Sequence, residues 1–222
     1  MISPSLIITS PLFEGVASED VTAENVFKLR STPIAGYEAD PPFHMIRSDG
    51  EARPVRTIND LKAAEEDGCL ARSNADLVVL NYFKRIKDVL AAIYVARNSR
   101  VSFLQHISAV ELLPARLVPF DVNLENSNES PLMPPDVTIA KVVADGRCKV
   151  DVISPHQIFV EGTIRTTLTE VMRGDLNGDG IEDVLVWQFH RVSGGSMHWS
   201  ETVALTRTSE SSLFSRVDLP FQ

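Results

Sequence analysis

Val184-Leu-Val-Trp-Gln-Phe-His-Arg-Val192, Ser193-Gly-Gly-Ser196 and Met197-His-Trp-Ser-Glu-Thr-Val-Ala-Leu-Thr206 form one uninterrupted stretch whose reading decides the fold. The two flanking runs are rich in β-branched and aromatic residues. They are too apolar on both faces for a surface helix, and turn-forming residues bound them. They read as two strands joined by the Gly-Gly connection. Pairing Val192 with Met197 sets His190 opposite Trp199, Arg191 opposite His198 and Val186 opposite Val203.

Upstream, the same short apolar runs recur from Val137 onward: Thr138 to Ala144, Cys148 to Ile153, Gln157 to Val160 and Thr166 to Met172. Asp145-Gly146 reads as a further hairpin connection. Residues 137–222 are therefore expected to form an antiparallel sheet or a partly open barrel. Before them, residues 121–136 are polar and carry three prolines, the composition of a linker. Residues 57–120 carry the helical signals. Asn59 is positioned to cap a first helix that Gly68 stops, and Ser73 or Asn74 opens a longer one to about Asn98. In that helix Val79, Phe83, Ile86, Leu90 and Ile93 recur at three- and four-residue steps, a core-facing stripe. Ser108-Ala-Val-Glu111 reads as a capping box that opens a short third helix, which Pro114 ends. Residues 1–56 hold six prolines, with Pro41 and Pro42 adjacent, and read as an extended segment. The expected class is α+β, a helical N-terminal half followed by an antiparallel sheet.

Between two of the expected strands lies Asp175-Leu-Asn177-Gly-Asp179-Gly180-Ile181-Glu-Asp183. It sets oxygen-bearing side chains at loop positions one, three, five and nine around a glycine, with a backbone carbonyl at seven. Ca²⁺ takes six to eight hard oxygen ligands, and loops supply them in this alternation. An EF-hand would close with an acid at position twelve and enter a helix; here position twelve is Val186, inside a strand. The run Gly174-Asp-Leu-Asn-Gly-Asp-Gly-Ile-Glu-Asp-Val-Leu-Val186 resembles the calcium loops of the FG-GAP and VCBS-repeat families, which lead into a strand in the same way. The resemblance covers this run alone and occurs once, so a propeller is not expected. It implies Ca²⁺ held by the side chains of Asp175, Asn177, Asp179 and Asp183 and by the Ile181 carbonyl. The alternative is an acidic hairpin turn, since Asn177-Gly178 and Asp179-Gly180 are also favoured turn dipeptides. A turn explains the glycines but not the gathering of three carboxylates, which repel unless a cation offsets them.

The chain has 222 residues, 44% hydrophobic and 23% charged, as expected of a soluble globular protein with one large or two small domains. Thirty acids against 21 bases give a net charge of −9. Such a chain repels nucleic acid and anionic membranes, so neither is an expected partner. The start of the chain lacks a secretory pattern, and no apolar run reaches the roughly 18 residues that span a bilayer. A cytoplasmic setting is the default, although a loop of three carboxylates and one amide suits the weaker, extracytoplasmic class of calcium site. Cys69 and Cys148 fit no metal spacing and read as two buried free thiols rather than a disulfide.

His190, His198 and Glu201 share the C-terminal hairpin and offer an alternative site, of acid–base or zinc type, for a hydrolase or other small-substrate enzyme. His44, His106 and His156 are scattered singly. No nucleophile elbow, phosphate-binding loop, dinucleotide fingerprint or His-Glu-x-x-His helix is present. The expected function is thus a non-enzymatic binding protein with one structural Ca²⁺, its partner a protein or small ligand.

Overall fold

The structure, a computed structural model, describes residues 2–8, 10–36, 43–120 and 133–219. The chain divides into two compact units, one of Met1–Ile7 with Arg97–Gln222, the other of Ile8–Ala96. Among the described residues no helix is long and apolar enough to cross a membrane.

After β1 (Ser5–Leu6), which belongs to the first unit, the chain enters the second. There α1 (Val26–Leu29) is a single turn, and β2 (Phe43–Ile46) pairs with β3 (Ala52–Val55) around Gly50, whose φ of +89° suits a residue without Cβ. Then α2 (Ile58–Glu66) starts at Thr57, whose hydroxyl accepts from Asp60 N–H at 3.1 Å while Asp60 accepts from Thr57 N–H at 2.9 Å. This reciprocal cap satisfies two donors that a helix start otherwise leaves bare. It sits two residues before the expected Asn59. The same device at Ser73 and Asp76 opens α3 (Asn74–Val95). Its buried face is Leu80, Phe83, Ile86, Val89, Leu90, Ala92 and Ile93, so four of the five expected stripe residues are core and Leu80 takes the place of Val79.

In the first unit, α4 (Ile139–Ala144) precedes β4 (Lys149–Ser154), β5 (Gln157–Glu161), β6 (Ile164–Gly174), β7 (Asp183–Val192), β8 (His198–Thr206) and β9 (Ser215–Val217). The sheet runs β4-β5-β6-β7-β8-β9, all antiparallel, and β1 adds to β6 beyond the end of β5. It is an open sheet of seven strands. One face carries Ile158, Val160, Leu168, Val184, Val186, Val203 and Leu205, packed with Ile107, Leu113, Leu117, Ile139, Val142 and Phe214 into a single core. Side chains of this kind each contribute about 1.5–3 kcal/mol on burial, so this layer dominates the unit's stability.

Four expectations about fold are corrected. The helical N-terminal half is not found: of the described residues 33% are in strands and 25% in helices, the larger part is the antiparallel sheet, and the described N-terminal region supplies α1, α2, α3 and two short 3-10 turns beside a β-hairpin. Ser108–Glu111 forms turns, because its neighbourhood bonds outward instead of along a helix. Leu112 O accepts from Phe214 N–H, Leu113 O from Ile139 N–H and Val110 O from Ala140 N–H. Thr138 to Ala144 is a helix and not a strand. Thr138 caps it by accepting from Lys141 N–H at 3.3 Å, and Ile139 and Val142, three apart, are its buried pair. Asp145-Gly146 consequently ends a helix instead of closing a hairpin, Gly146 adopting a φ of +72°. Of the expected linker 121–136, residues 121–132 lie outside the described residues, as do Pro41 and Pro42. Both cysteines are buried free thiols, as expected.

The C-terminal hairpin adopts the expected register. Val192 N–H donates to Met197 O at 3.0 Å, and His190 faces Trp199, Arg191 faces His198 and Val186 faces Val203.

Candidate functional site

The acidic loop joins β6 to β7 and is folded by its own carboxylates. Asp175 Oδ1 accepts from Gly178 N–H at 2.7 Å and its Oδ2 from Gly180 N–H at 3.0 Å. Asp179 Oδ1 accepts from Ile181 N–H at 2.7 Å and its Oδ2 from the Asn177 amide at 3.1 Å, while Asn177 Oδ1 accepts from Asp179 N–H at 3.0 Å. Gly178 and Gly180 hold φ of +87° and +88°, and a Cβ on either would lie 3.4 Å from Arg97 or Arg100. Arg97 pairs its backbone with Asp175, and Val101 bridges the other side through Gly180 O and Glu182 N–H, leaving the Ile181 carbonyl outside that bridge.

Asp183 stands apart from the other loop acids. It is fully buried; its Oδ2 accepts from Leu176 N–H at 2.9 Å, and its Oδ1 has no hydrogen-bond partner. Burial pushes its pKa up to about 6, and Asp179 and Asp175 push the same way, against the Leu176 N–H and the nearby Thr206 hydroxyl. Asp175 and Asp183 are thus buried and Asn177 and Asp179 exposed. The loop does not bring one oxygen from each of its three aspartates within 4.8 Å of one another; among the described residues the trio that meets this spacing is His106, His156 and Glu170.

On the C-terminal hairpin, alternation along the strands separates the two histidines. His190 shares a face with Trp199, Glu201, Gln188 and Thr166, whereas His198 shares the opposite face with Arg191 and Phe189. His190 is fully buried, stacks on Trp199 with centroids 4.9 Å apart, shares a 2.9 Å hydrogen bond between Nδ1 and Thr166 Oγ1, and places Nε2 3.7 Å from Glu201 Oε1. With the Gln188 amide turned so that its nitrogen faces the two acceptors beside it, it donates to Leu117 O at 3.2 Å and Glu201 Oε1 at 3.1 Å. His190 is the main cause that holds the Glu201 carboxyl below its ordinary range, with Arg216 assisting and burial opposing. His190 and Glu201 are thus together, in a polar network that ties the sheet to Leu117, and His198 is not part of it.

A third constellation has no local signature in the sequence. Glu170 on β6, its side chain wholly buried, accepts from Ile107 N–H at 2.8 Å through Oε1 and bonds His156 Nδ1 at 2.7 Å through Oε2. Arg173 Nη2 lies 3.0 Å from both oxygens, 3.2 Å from Gln105 O and 3.4 Å from His106 Nδ1. Residues three apart on a regular strand point to opposite faces, but β6 carries a bulge between Glu170 and Met172. The extra residue, Val171, returns Arg173 to the face of Glu170. Beside this cluster Gln105 also lines a pocket of about 360 Å³ with Ser102, Phe103, Leu104 and Arg207. Arg207 is buried and donates to the carbonyls of Ser212 at 2.8 Å, Phe103 at 2.6 Å and Glu210 at 2.5 Å.

Fold and sites together define a predominantly antiparallel-sheet protein with an acidic loop at the mouth of one strand and a histidine–glutamate cluster on the neighbouring one. No family model matches the chain, and no match is found among curated proteins or solved structures.

Proposed function

We propose that this chain is a non-enzymatic binding protein in which one Ca²⁺ ion stiffens the loop from Asp175 to Asp183 and so fixes the entrance to β7. The observation that supports this most is Asp183, a fully buried carboxylate that the Leu176 N–H and the nearby Thr206 hydroxyl offset only in part, with two further aspartates adding repulsion. Burying charge without compensation is costly, and a divalent cation is the compensation that suits an all-oxygen set. Asp175, Asn177, Asp179 and Asp183 would hold the ion through side chains and Ile181 through its carbonyl. The hydrogen bonds already made by Asp175 and Asp179 leave room for this, since an ionised carboxylate has about four lone-pair directions. Asp179 Oδ2 would have to release the Asn177 amide nitrogen, and the loop would have to draw its three carboxylates closer together than they now stand. When bound, the ion supplies rigidity and charge balance. The surface so positioned takes a protein or small ligand; with a net charge of −9, nucleic acid and anionic membrane are the disfavoured partners.

Calcium titrated calorimetrically into chelator-stripped protein, with melting followed in parallel, tests the proposal. The expected result is one site per chain and a higher melting temperature in calcium than in chelator. Absence of both binding heat and melting shift overturns it.

A further inference from the structure

We propose that His106, His156 and Glu170 form a second metal site, for one ion of the zinc class, independent of the acidic loop. One ligand atom from each of the three lies within 4.8 Å of the others. Two imidazoles and a carboxylate are the donors that suit zinc and its borderline neighbours, and three protein ligands leave a fourth position open to water or a bound molecule. The acidic loop, all oxygen, selects a different class of ion.

Two features separate this cluster from an ordinary buried ion pair. First, Glu170 is already balanced by Arg173, which spans both its oxygens, so neither histidine is needed to neutralise it. Second, the histidines arrive from distant parts of the chain, His106 ahead of the Ile107 anchor and His156 from the turn between β4 and β5. They meet edge to face with ring centroids 4.7 Å apart, each side chain between two-fifths and half exposed. The site is therefore reachable from solvent while its carboxylate is not.

The supporting contacts match what a ligating carboxylate requires. Glu170 Oε1 is fixed by Ile107 N–H at 2.8 Å, and Glu170 N–H in turn donates to His156 O at 2.8 Å, which locks the strand to the turn that carries the imidazole. Such outer contacts orient metal ligands. Oε2 is then the ligating oxygen. Two ligands of one tetrahedral zinc stand about 3.3 Å apart. The His156 Nδ1 to Oε2 distance of 2.7 Å must open slightly, and His106, whose Nδ1 stands 4.0 Å from the other oxygen, Oε1, must settle at the same spacing from Oε2. The proton of the His156–Glu170 hydrogen bond leaves for solvent or for the other nitrogen of the ring as the metal takes its place. Arg173 has to give up Oε2 and His106 Nδ1, now 3.0 and 3.4 Å from its Nη2, while it keeps Oε1 and Gln105 O; its charge then lies beside the open position and favours an anionic oxygen there.

The test is calorimetric titration of Zn²⁺ into the chelator-stripped full chain with calcium saturating, so that the acidic loop does not report, repeated with Co²⁺ and its visible absorption. Expected are one ion per chain, cobalt bands of a low-coordinate nitrogen–oxygen site, and affinity at least about 10-fold weaker in His106→Ala and in His156→Ala, the floor set by losses known for outer contacts alone. Both variants should melt like the parent in chelator. If His156→Ala fails to fold, His106→Ala decides. No zinc binding, or binding that His106→Ala leaves unchanged, overturns the proposal. Loss of calcium binding alone leaves it standing, because the two sites share no ligand.

Discussion

Asp183→Asn should stabilise the metal-free protein and abolish its response to calcium. The pKa of Asp183 rises from 3.8 to about 6, and each unit is worth about 1.4 kcal/mol, so ionising this side chain at neutral pH costs the folded state up to about 3 kcal/mol. The sign comes from proton counts. Between the two pKa values the folded state holds the proton more than the unfolded state, so stability falls as pH rises through this window. The penalty is fully present above about pH 6 and gone below about pH 4. Asparagine keeps an oxygen for the Leu176 N–H at 2.9 Å and removes the charge. In chelator, Asp183→Asn should therefore melt above the parent at pH 7 and match it near pH 4. In calcium at a thousand times its dissociation constant, the parent gains about 4.1 kcal/mol and the variant far less, so their order reverses. Thermal melts by circular dichroism across this range, with and without calcium, give the comparison. A variant less stable than the parent in chelator at every pH would refute the argument that this carboxylate is uncompensated. Equal calcium gains in both proteins would refute its role as a ligand.

Arg207→Met should cost on the order of 3–5 kcal/mol, since three carbonyls lose a charged donor, and lower the melting temperature by roughly 10 °C. Ser73→Ala should cost about 1 kcal/mol through loss of the α3 cap, seen as a shifted denaturant midpoint with unchanged slope. Gly180→Ala should lose more than about 1 kcal/mol, because its φ of +88° disfavours a Cβ that would also touch Arg100, and should weaken calcium binding in the same titration used for the parent. Glu201→Gln should flatten the acid limb of the stability profile. Its carboxyl is held below the ordinary range by His190, so its contribution is present above that range and lost as pH falls through it.

Legibility in the sequence tracks local chemistry. The Ser193–Ser196 turn fixed a register that places every cross-strand pair from Val192 to Val186 correctly. That same register already implied, through the period of two, that His190 and His198 face opposite ways, a step that proximity along the hairpin obscured. The run from Thr138 to Ala144 misled because its paired valines suit a strand, while the deciding features were a threonine cap and burial at a spacing of three. The helical N-terminal half failed because capping signals at Ser108 lost to tertiary partners for the same carbonyls. Nothing local marked the histidine–glutamate cluster. Its members lie far apart in the chain, and the bulge that brings Arg173 onto the face of Glu170 contains no glycine to announce it.

The placement of β1 has a bearing on how this protein is made. Ser5 and Leu6 pair with Arg173 and Met172, and Ile2 and Ser99 exchange both backbone hydrogen bonds. On a ribosome β1 is synthesised before its partner and seated late, after all of Ile8–Ala96 and β6 have emerged. Until then its slot beside β6 stays unfilled, a vulnerable interval in which another strand has access to it.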